Sequence, residues 1–357
     1  MSEGSNIVYV HGRPSGHPIH NSYAISINAE FIAEDYLIPY LEYHSHNKIL
    51  KYQSYIVNAV FLGIKFRKKQ LILTECVRIP IWIAYKLWFI PSSVKKVALM
   101  ADESLYFTYT KKYPKATLWL MKQYFLDMDY LICIGAYQEE LAKKILPATH
   151  HHKIKKIFNG LSEEKMNLLQ NNSPTFEDNR WIFIGNINVP FRVYYKGVDL
   201  MLESLCLIDD AISWSLDIVG ECPKEIQSEL LSRVPESIHS RIRFLGVQYI
   251  EDIISQYNLC IHVARGDSFP TSVIETTAAG IPTLVSYETG TKEIVELIDS
   301  SFVVPLSASH IAKKISDYAH ASIEAKQVIS KKSKEVAIQY REIEARKLFV
   351  EIIGKLI

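Results

Sequence analysis

The sequence predicts two α/β domains, each a parallel sheet covered by helices. Three observations carry this. The chain has 357 residues, long for one core and comfortable for two. Short apolar runs alternate with helical patterns on both sides of Gly160, as strands and crossover helices do in parallel sheets. And one stretch, Arg265–Ser286 (RGDSFPTSVIETTAAGIPTLVS), holds the repeating unit in miniature.

That stretch follows a mostly apolar run, Leu259–Ala264, of buried-strand type. A turn at Arg265–Pro270 comes next. Thr271 or Ser272 is placed to cap a helix running to Ala279. Gly280 ends it, Pro282 prevents its return, and Thr283–Ser286 reads as the next strand. The first N–H groups of such a helix lack backbone partners and suit an anion, phosphate above all. Asp267 lies in the turn, and Glu275 stands eight positions on. Carboxylates repel phosphate but accept hydrogen bonds from sugar hydroxyls. Phosphate donors beside hydroxyl acceptors suggest a nucleotide-sugar; a turn residue and a solvated helix residue is the plainer alternative.

Composition narrows the class. With 48% hydrophobic and 22% charged residues the chain is neither disordered nor fibrous. Cys76, Cys133, Cys206, Cys222 and Cys260 are scattered without metal spacing, and most lie in apolar runs. Free, buried thiols in a reducing compartment are expected. The N-terminus lacks a signal-like pattern, and no apolar run reaches spanning length. The expected location is therefore cytoplasmic, or peripheral at a membrane. Net charge is near zero but uneven. Up to Gly160 there are 20 Lys and Arg against 12 Asp and Glu, leaving 20 against 27 afterwards. A basic front half suits an anionic surface.

The remaining elements follow in order. Asn6–His11 is a strand; the loop Gly12–His20 leads to a helix from Asn21 toward Ile32. Tyr36–Tyr43 reads as a weak strand and Asn47–Phe66 as a long helix, with apolar residues at helical spacing. Leu71–Val77 is a strand. Ile79, Trp82, Tyr85, Trp88 and Phe89 then lie among Lys86, Lys95 and Lys96. This reads equally as a core helix and as a membrane-interface segment. Strands follow at Val97–Met100, Tyr130–Gly135 and Lys155–Gly160. After a polar linker come strands Trp181–Gly185, Leu216–Gly220 and Arg243–Gly246, a helix Tyr249–Tyr257, and the stretch above. A strand at Phe302–Pro305 and helices complete the chain. Ligands in such folds bind beyond the carboxyl ends of strands. The Gly12–His20 loop, Asp102, Lys196, Val247 and Asp267–Glu275 all lie at such ends.

The stretch Asp267-Ser-Phe269-Pro270, then Glu275-Thr-Thr-Ala-Ala-Gly280-Ile-Pro282, resembles the donor signature of retaining glycosyltransferases of family 4. The family pattern is Glu-Gly-Phe-Gly or Glu-Gly-Phe-Pro, then Glu-Ala-x-Ala-x-Gly-x-Pro. The resemblance implies the GT-B architecture, two Rossmann-like domains facing a central cleft. It implies an acceptor-side domain at 1–165, a donor domain at 166–335, and a C-terminal helix at 336–357 packing back on the first. Its site would comprise Lys196 with Arg192 on the diphosphate, and backbone groups at Phe269, Pro270, Thr271, Ser272 and Val273. Val247 would lie by the nucleobase, Glu275 on the ribose, Asp267 on the sugar, and Gly16 by the donor. Asp102 stands at the strand end where many relatives carry a histidine next to the sugar, which makes it a catalytic candidate by position; the alternative is that it caps the next turn. The implied reaction moves a sugar from a UDP- or GDP-sugar to a glycan or lipid-linked acceptor, with α-linkage. No cofactor, no metal and no nucleic acid is expected, and the basic front half makes an anionic membrane surface an expected further partner.

The chain departs from the pattern at several points. Asp267 replaces Glu and is one methylene shorter. Asn186 stands where an Arg usually follows the strand glycine, and no paired glycines flank Gly16. These departures leave open a non-catalytic GT-B-like protein that binds a partner or glycan, and a sugar-nucleotide epimerase. Two further features read as incidental: the triplet Asp127-Met-Asp129, which holds a metal in another transferase fold, and His150–His152.

Overall fold

Strands such as Val8–Val10, Leu71–Leu73 and Val97–Met100 are apolar without alternation and wholly buried, so both faces of their sheet are covered. The computed structural model describes residues 5–12, 17–33 and 48–357. The chain divides into two units, one of Met1–Ile134, Gln138–Ile157 and Ala345–Ile357, the other of Gly135–Tyr137 and Phe158–Glu344.

The first unit holds strands β1 (Ile7–His11), β2 (Glu30–Ala33), β3 (Leu71–Glu75), β4 (Lys95–Met100), β5 (Tyr130–Ile134) and β6 (Ile154–Ile157). They form one parallel sheet in the order β2-β1-β3-β4-β5-β6. The helix Lys48–Phe66 buries Ala59, Leu62 and Phe66 against this sheet and leaves Ile56, Val57, Phe61 and Ile64 exposed. Burying each large side chain of the core stabilises by about 1.5–3 kcal/mol. The second unit holds β7 (Asn179–Ile184), β8 (Trp214–Val219), β9 (Ile242–Gly246), β10 (Leu259–His262), β11 (Thr283–Ser286) and β12 (Val303–Val304). Their order, β12-β11-β10-β7-β8-β9, is the doubly wound order, reversing at the β7–β10 pair. Trp181 of β7, fully buried, stacks on Trp214 of β8 with ring centres 5.3 Å apart.

Some elements differ from expectation. The first helix runs Pro18–Ser26 and stops short of Ile32. Asn28 turns the chain with a φ of 52°, a conformation Asn tolerates, and Glu30–Ala33 pairs with β1 instead. The strand read at Tyr36–Tyr43 lies outside the described residues. The helix of the organising stretch spans Thr271–Ala278, and its N-cap is Pro270, so neither Thr271 nor Ser272 caps it. The C-terminal region is not one helix over 336–357. Helix Ile323–Ala337 ends in a short turn, and a second helix spans Glu342–Gly354. Extended Arg341 separates them, pairing with Leu161: the Glu342 N–H bonds the Leu161 carbonyl at 2.7 Å. A Cβ on Gly160 would meet the Arg341 carbonyl at 2.6 Å. Beyond this break Phe349 stacks on buried Tyr23 at 5.1 Å, inside the first unit. The thiols are free, but only Cys133 and Cys260 are buried; Cys206 is exposed.

The aromatic segment divides between core and surface. Trp82 is buried and donates to Asp127 at 2.8 Å. Lys96 is buried too, 2.7 Å from Asp129 and over the Tyr85 ring. Both carboxylates of the Asp127–Asp129 triplet thus pair with this unit's own cations, Asp127 with Lys86 and Asp129 with Lys96. Trp88, by contrast, is 89% exposed.

Candidate active site

In the second unit the carboxyl ends of β7 and β10 flank the point where strand order reverses, the expected place for a ligand. Three segments converge there. Strand β10 ends at His262 and passes through the turn to the helix Thr271–Ala278. The helical turn Pro190–Tyr195 follows β7 and delivers Lys196. The loop before helix Lys292–Asp299 brings Gly290.

Two glycines make the approach feasible. Gly197 has a φ of 71°, and a Cβ there would fall 1.9 Å from the Val263 carbonyl oxygen. A Cβ on Gly290 would fall 1.4 Å from that of Ser268, while the Gly290 N–H bonds the Asp267 carbonyl at 2.8 Å. Arg265 fastens the turn from outside, pairing with Asp199 at 2.7 Å and lying over the Tyr194 ring.

Asp267 is the electrostatic centre. One carboxylate oxygen, Oδ2, accepts from Lys196 Nζ at 3.1 Å and from His262 Nε2 at 3.1 Å. Burial pushes the Asp267 carboxyl up, but Lys196 and His262 together outweigh it and hold it well below the usual carboxylate range. Burial pushes His262 the other way, below the usual imidazole range, with Asp267 partly opposing. The ring is fully buried and lies parallel to Phe183, centroids 5.8 Å apart. Sequence reasoning missed His262. Its one signal is a titratable residue within an otherwise apolar buried strand.

Arg192 is partly buried and stands one helical turn before Lys196, whose N–H bonds the Arg192 carbonyl at 2.9 Å. Asn186 has a job of its own: its side-chain oxygen accepts from the Glu221 N–H at 2.9 Å, tying the loop after β7 to that after β8. Phe269 and Pro270 are buried, and Thr271 and Ser272 partly so. The Val273 N–H bonds the Pro270 carbonyl at 3.1 Å. Among the described residues the Thr271 and Ser272 N–H groups make no hydrogen bond, so they are the donors the helix end offers. Glu275 points to a lysine, Lys165, at 2.6 Å. Val247 follows β9 and is exposed, as is Tyr249.

Asp102 belongs to the first unit. Its Oδ1 accepts from the Ser104 N–H at 3.2 Å and hydroxyl at 2.6 Å, at the start of helix Ser104–Tyr109. Gly16 lies outside the described residues. The first unit has a polar cluster of its own, where β1 and β3 meet at its order reversal. Buried His20 bonds buried Glu75 through Nδ1 at 2.8 Å, with Arg78 at 3.8 Å from the same carboxylate. Burial pushes Glu75 up, but His20 and Arg78 hold it below the usual range. His151, of the histidine tract, sits within 2.9 Å of the Lys143 carbonyl, and the described residues contain no group of three or more metal-type ligands.

Residues 178–320 match the family described as "Glycosyl transferases group 1". No curated protein matches by sequence. Solved structures match over nearly the whole chain. Anabaena Alr3699/HepE in complex with UDP-glucose aligns with a TM-score of 0.71 at 14% identity, covering 98% of this chain and 99% of that one. Sucrose-phosphate synthase from Thermosynechococcus elongatus aligns at 0.70 and 13% identity, covering 98% of each. WaaG, a glycosyltransferase involved in lipopolysaccharide biosynthesis, aligns at 0.67 and 12%, covering 98% of this chain and all of that one. The chain thus has the GT-B fold of two parallel-sheet units, and residues 178–320, within the second unit, are similar in sequence to the group 1 glycosyl transferases.

Proposed function

We propose that this protein is a retaining glycosyltransferase that takes its sugar from a nucleotide-diphosphate donor bound in the second unit. One observation carries the reading: within the family-matched segment, Lys196, Asp267 and the open helix start at Thr271–Ser272 converge on the β7–β10 switch point. Lys196, with Arg192 behind it, neutralises the diphosphate, and the Thr271 and Ser272 N–H groups add donors for its oxygens. Glu275 accepts from the ribose. Asp267 keeps Oδ1 for a sugar hydroxyl while Oδ2 is held by Lys196 and His262.

In the reaction the bond from the sugar's anomeric carbon to the phosphate oxygen breaks, and a bond to the acceptor oxygen forms on the same face. The acceptor's proton passes to the leaving phosphate. Charge growing on that phosphate is what Lys196 and the helix start stabilise. The reading needs no metal, since these groups do a cation's work. UDP-sugars are favoured over GDP-sugars because UDP and UDP-glucose accompany a structural neighbour.

The first unit serves the acceptor, a glycan or lipid-linked molecule, through the Glu75–His20–Arg78 cluster. Its exposed Ile56, Val57, Phe61, Ile64 and Trp88 beside Arg67 and Lys68 fit peripheral contact with an anionic membrane. No helix among the described residues is long and apolar enough to cross one.

Thermal unfolding against a panel of nucleotides and nucleotide-sugars tests the reading, because a ligand of the native state raises the midpoint. Ligand at about a hundred times its Kd adds about 2.7 kcal/mol. One base family should stabilise the protein, and Glu275→Ala should abolish that shift. A folded protein that no member of the panel stabilises would be a non-catalytic GT-B-like binder instead.

A further inference from the structure

Glu275 does not stand alone. The helix Glu163–Gln170, which follows the crossing at Leu161, packs against the helix Thr271–Ala278 and sends Lys165 across to it. Lys165 Nζ lies 2.6 Å from Glu275 Oε1. It also lies 3.9 Å from Glu251 Oε2, on the short helix that follows exposed Val247 and Tyr249. That Glu251 oxygen is buried and makes no hydrogen bond among the described residues. One ammonium therefore stands between two carboxylates from the two elements flanking the proposed nucleoside position. The helix carrying it is itself tied down: Ser162 caps its start, and Asn172 beyond its end donates to the Ala279 carbonyl at 3.2 Å.

We propose that Lys165 is the positioning residue of the ribose site. The inference rests on the reading of Glu275 as the ribose ligand. Glu275 is only 12% exposed, so its charge is poorly solvated and an ion-pair partner is what holds the carboxylate in place. Lys165 neutralises it locally. It occupies one oxygen and fixes the rotamer, leaving the other acceptor positions for vicinal hydroxyls. It also offsets Glu251, which would otherwise add a second negative charge at the same place. Lys165 does not touch the diphosphate in this arrangement. Its effect is confined to ligands that carry ribose hydroxyls.

That confinement is the test. Dissociation constants are measured by calorimetry for three probes: the nucleoside diphosphate that stabilises the protein, its 2′,3′-dideoxy analogue, and inorganic pyrophosphate. Wild type should bind the ribo form more tightly than the dideoxy form. Lys165→Met keeps the stem and removes the charge. It should weaken the ribo form about tenfold, the size of one charge-assisted hydrogen bond. It should equalise ribo and dideoxy forms and leave pyrophosphate unchanged. Lys165→Arg should restore the preference. If Lys165→Met keeps the full ribo preference while Glu275→Gln loses it, Lys165 has no positioning role and only this inference falls. If Lys165→Met weakens pyrophosphate as much as nucleotide, its effect is general charge and the inference again falls. If wild type binds no nucleotide, or does not distinguish ribo from dideoxy, the donor-site reading of Glu275 falls and takes the inference with it.

Discussion

His262 is fully buried, so its imidazole can be charged only at a free-energy penalty. Its Nε2 faces ionised Asp267 and so carries the proton, while Nδ1 makes no hydrogen bond among the described residues. Asp is one methylene shorter than the Glu of the family pattern, and His262 and Lys196 meet its carboxylate close to the strand end. The three residues work as one unit, with Asp267 held by two partners and Lys196 held near the proposed phosphate position. The pH consequence has a definite sign. His262 has its folded pKa lowered, so below about pH 6.5, the ordinary imidazole value, the unfolded chain binds a proton that the folded chain refuses. Its contribution is present above that pH and is lost as pH falls toward the folded value. Asp267, also depressed, keeps its contribution through this window and loses it only in stronger acid. Replacing His262 by Gln retains a donor for Asp267 and removes the titration. Denaturant unfolding of wild type should lose stability on acidification faster than His262→Gln, by up to about 1.4 kcal/mol per pH unit. Parallel pH profiles would place His262 outside this linkage. None of these partnerships was legible beforehand. Asp267 and Glu275 stand out by local spacing and Lys196 by the family resemblance, but His262 looked like part of an apolar strand, and Lys165 meets Glu275 only through the packing of distant helices.

At the scale of elements, legibility followed how local the determining signal is. Strands β3, β4, β7, β8 and β11 are short apolar runs bounded by turn residues, and the sequence places each to within a few residues. Strand β2 escaped because its alternation is only four residues long and is preceded by a helical pattern that Asn28 cuts off. The helix Lys48–Phe66 is legible as a helix, yet its two apolar faces are not separable by eye. One covers the sheet. The other presents Val57, Phe61, Ile64 and Lys68 along one line at helical spacing, flanked by Ile56 and Arg67. Gly63 on that flank packs against Phe89, which brings exposed Leu87 and Trp88 alongside; a Cβ on Gly63 would fall 2.1 Å from the Phe89 Cβ. This surface, rather than the Trp82–Lys96 segment as a whole, is the one suited to lipid. Phe61→Glu with Ile64→Glu should reduce co-sedimentation with anionic vesicles at least about tenfold, since apolar insertion and charge attraction are both weakened. Raised salt should weaken wild-type binding as well. Unchanged binding in the double variant would remove this face from consideration. Both positions are about half or more exposed, so the folded state tolerates the change.

At the scale of the whole molecule, sequence order and structural membership part company at Arg341. Helices Ala308–Ala319 and Ile323–Ala337 belong to the second unit, but Ala345–Ile357 clusters with the first, more than 180 residues after β6 closes its sheet. The switch is made by backbone: Arg341 breaks the helix, the Leu161 carbonyl accepts from the Glu342 N–H while the Leu161 N–H donates to the Tyr340 carbonyl, and Gly160 gives the room. Length alone makes the C-terminal region long enough to return to the first unit, but the break is not visible in it, because no Pro or Gly marks Arg341. The core of the first unit therefore includes residues from Ala345–Ile357. Phe349 is wholly buried there, stacked on Tyr23, with Ala345 and Ile353 buried on the same helix. Phe349→Ala should cost about 3–5 kcal/mol, the range for removing a buried phenyl ring. The loss should fall on the first unit. Calorimetry should show a transition that moves to lower temperature, while the nucleotide-dependent rise expected of the second unit persists. If both transitions move together, and nucleotide raises their common midpoint, the two units unfold as one cooperative body. The C-terminal helix would then stabilise the donor site as much as the sheet it packs on.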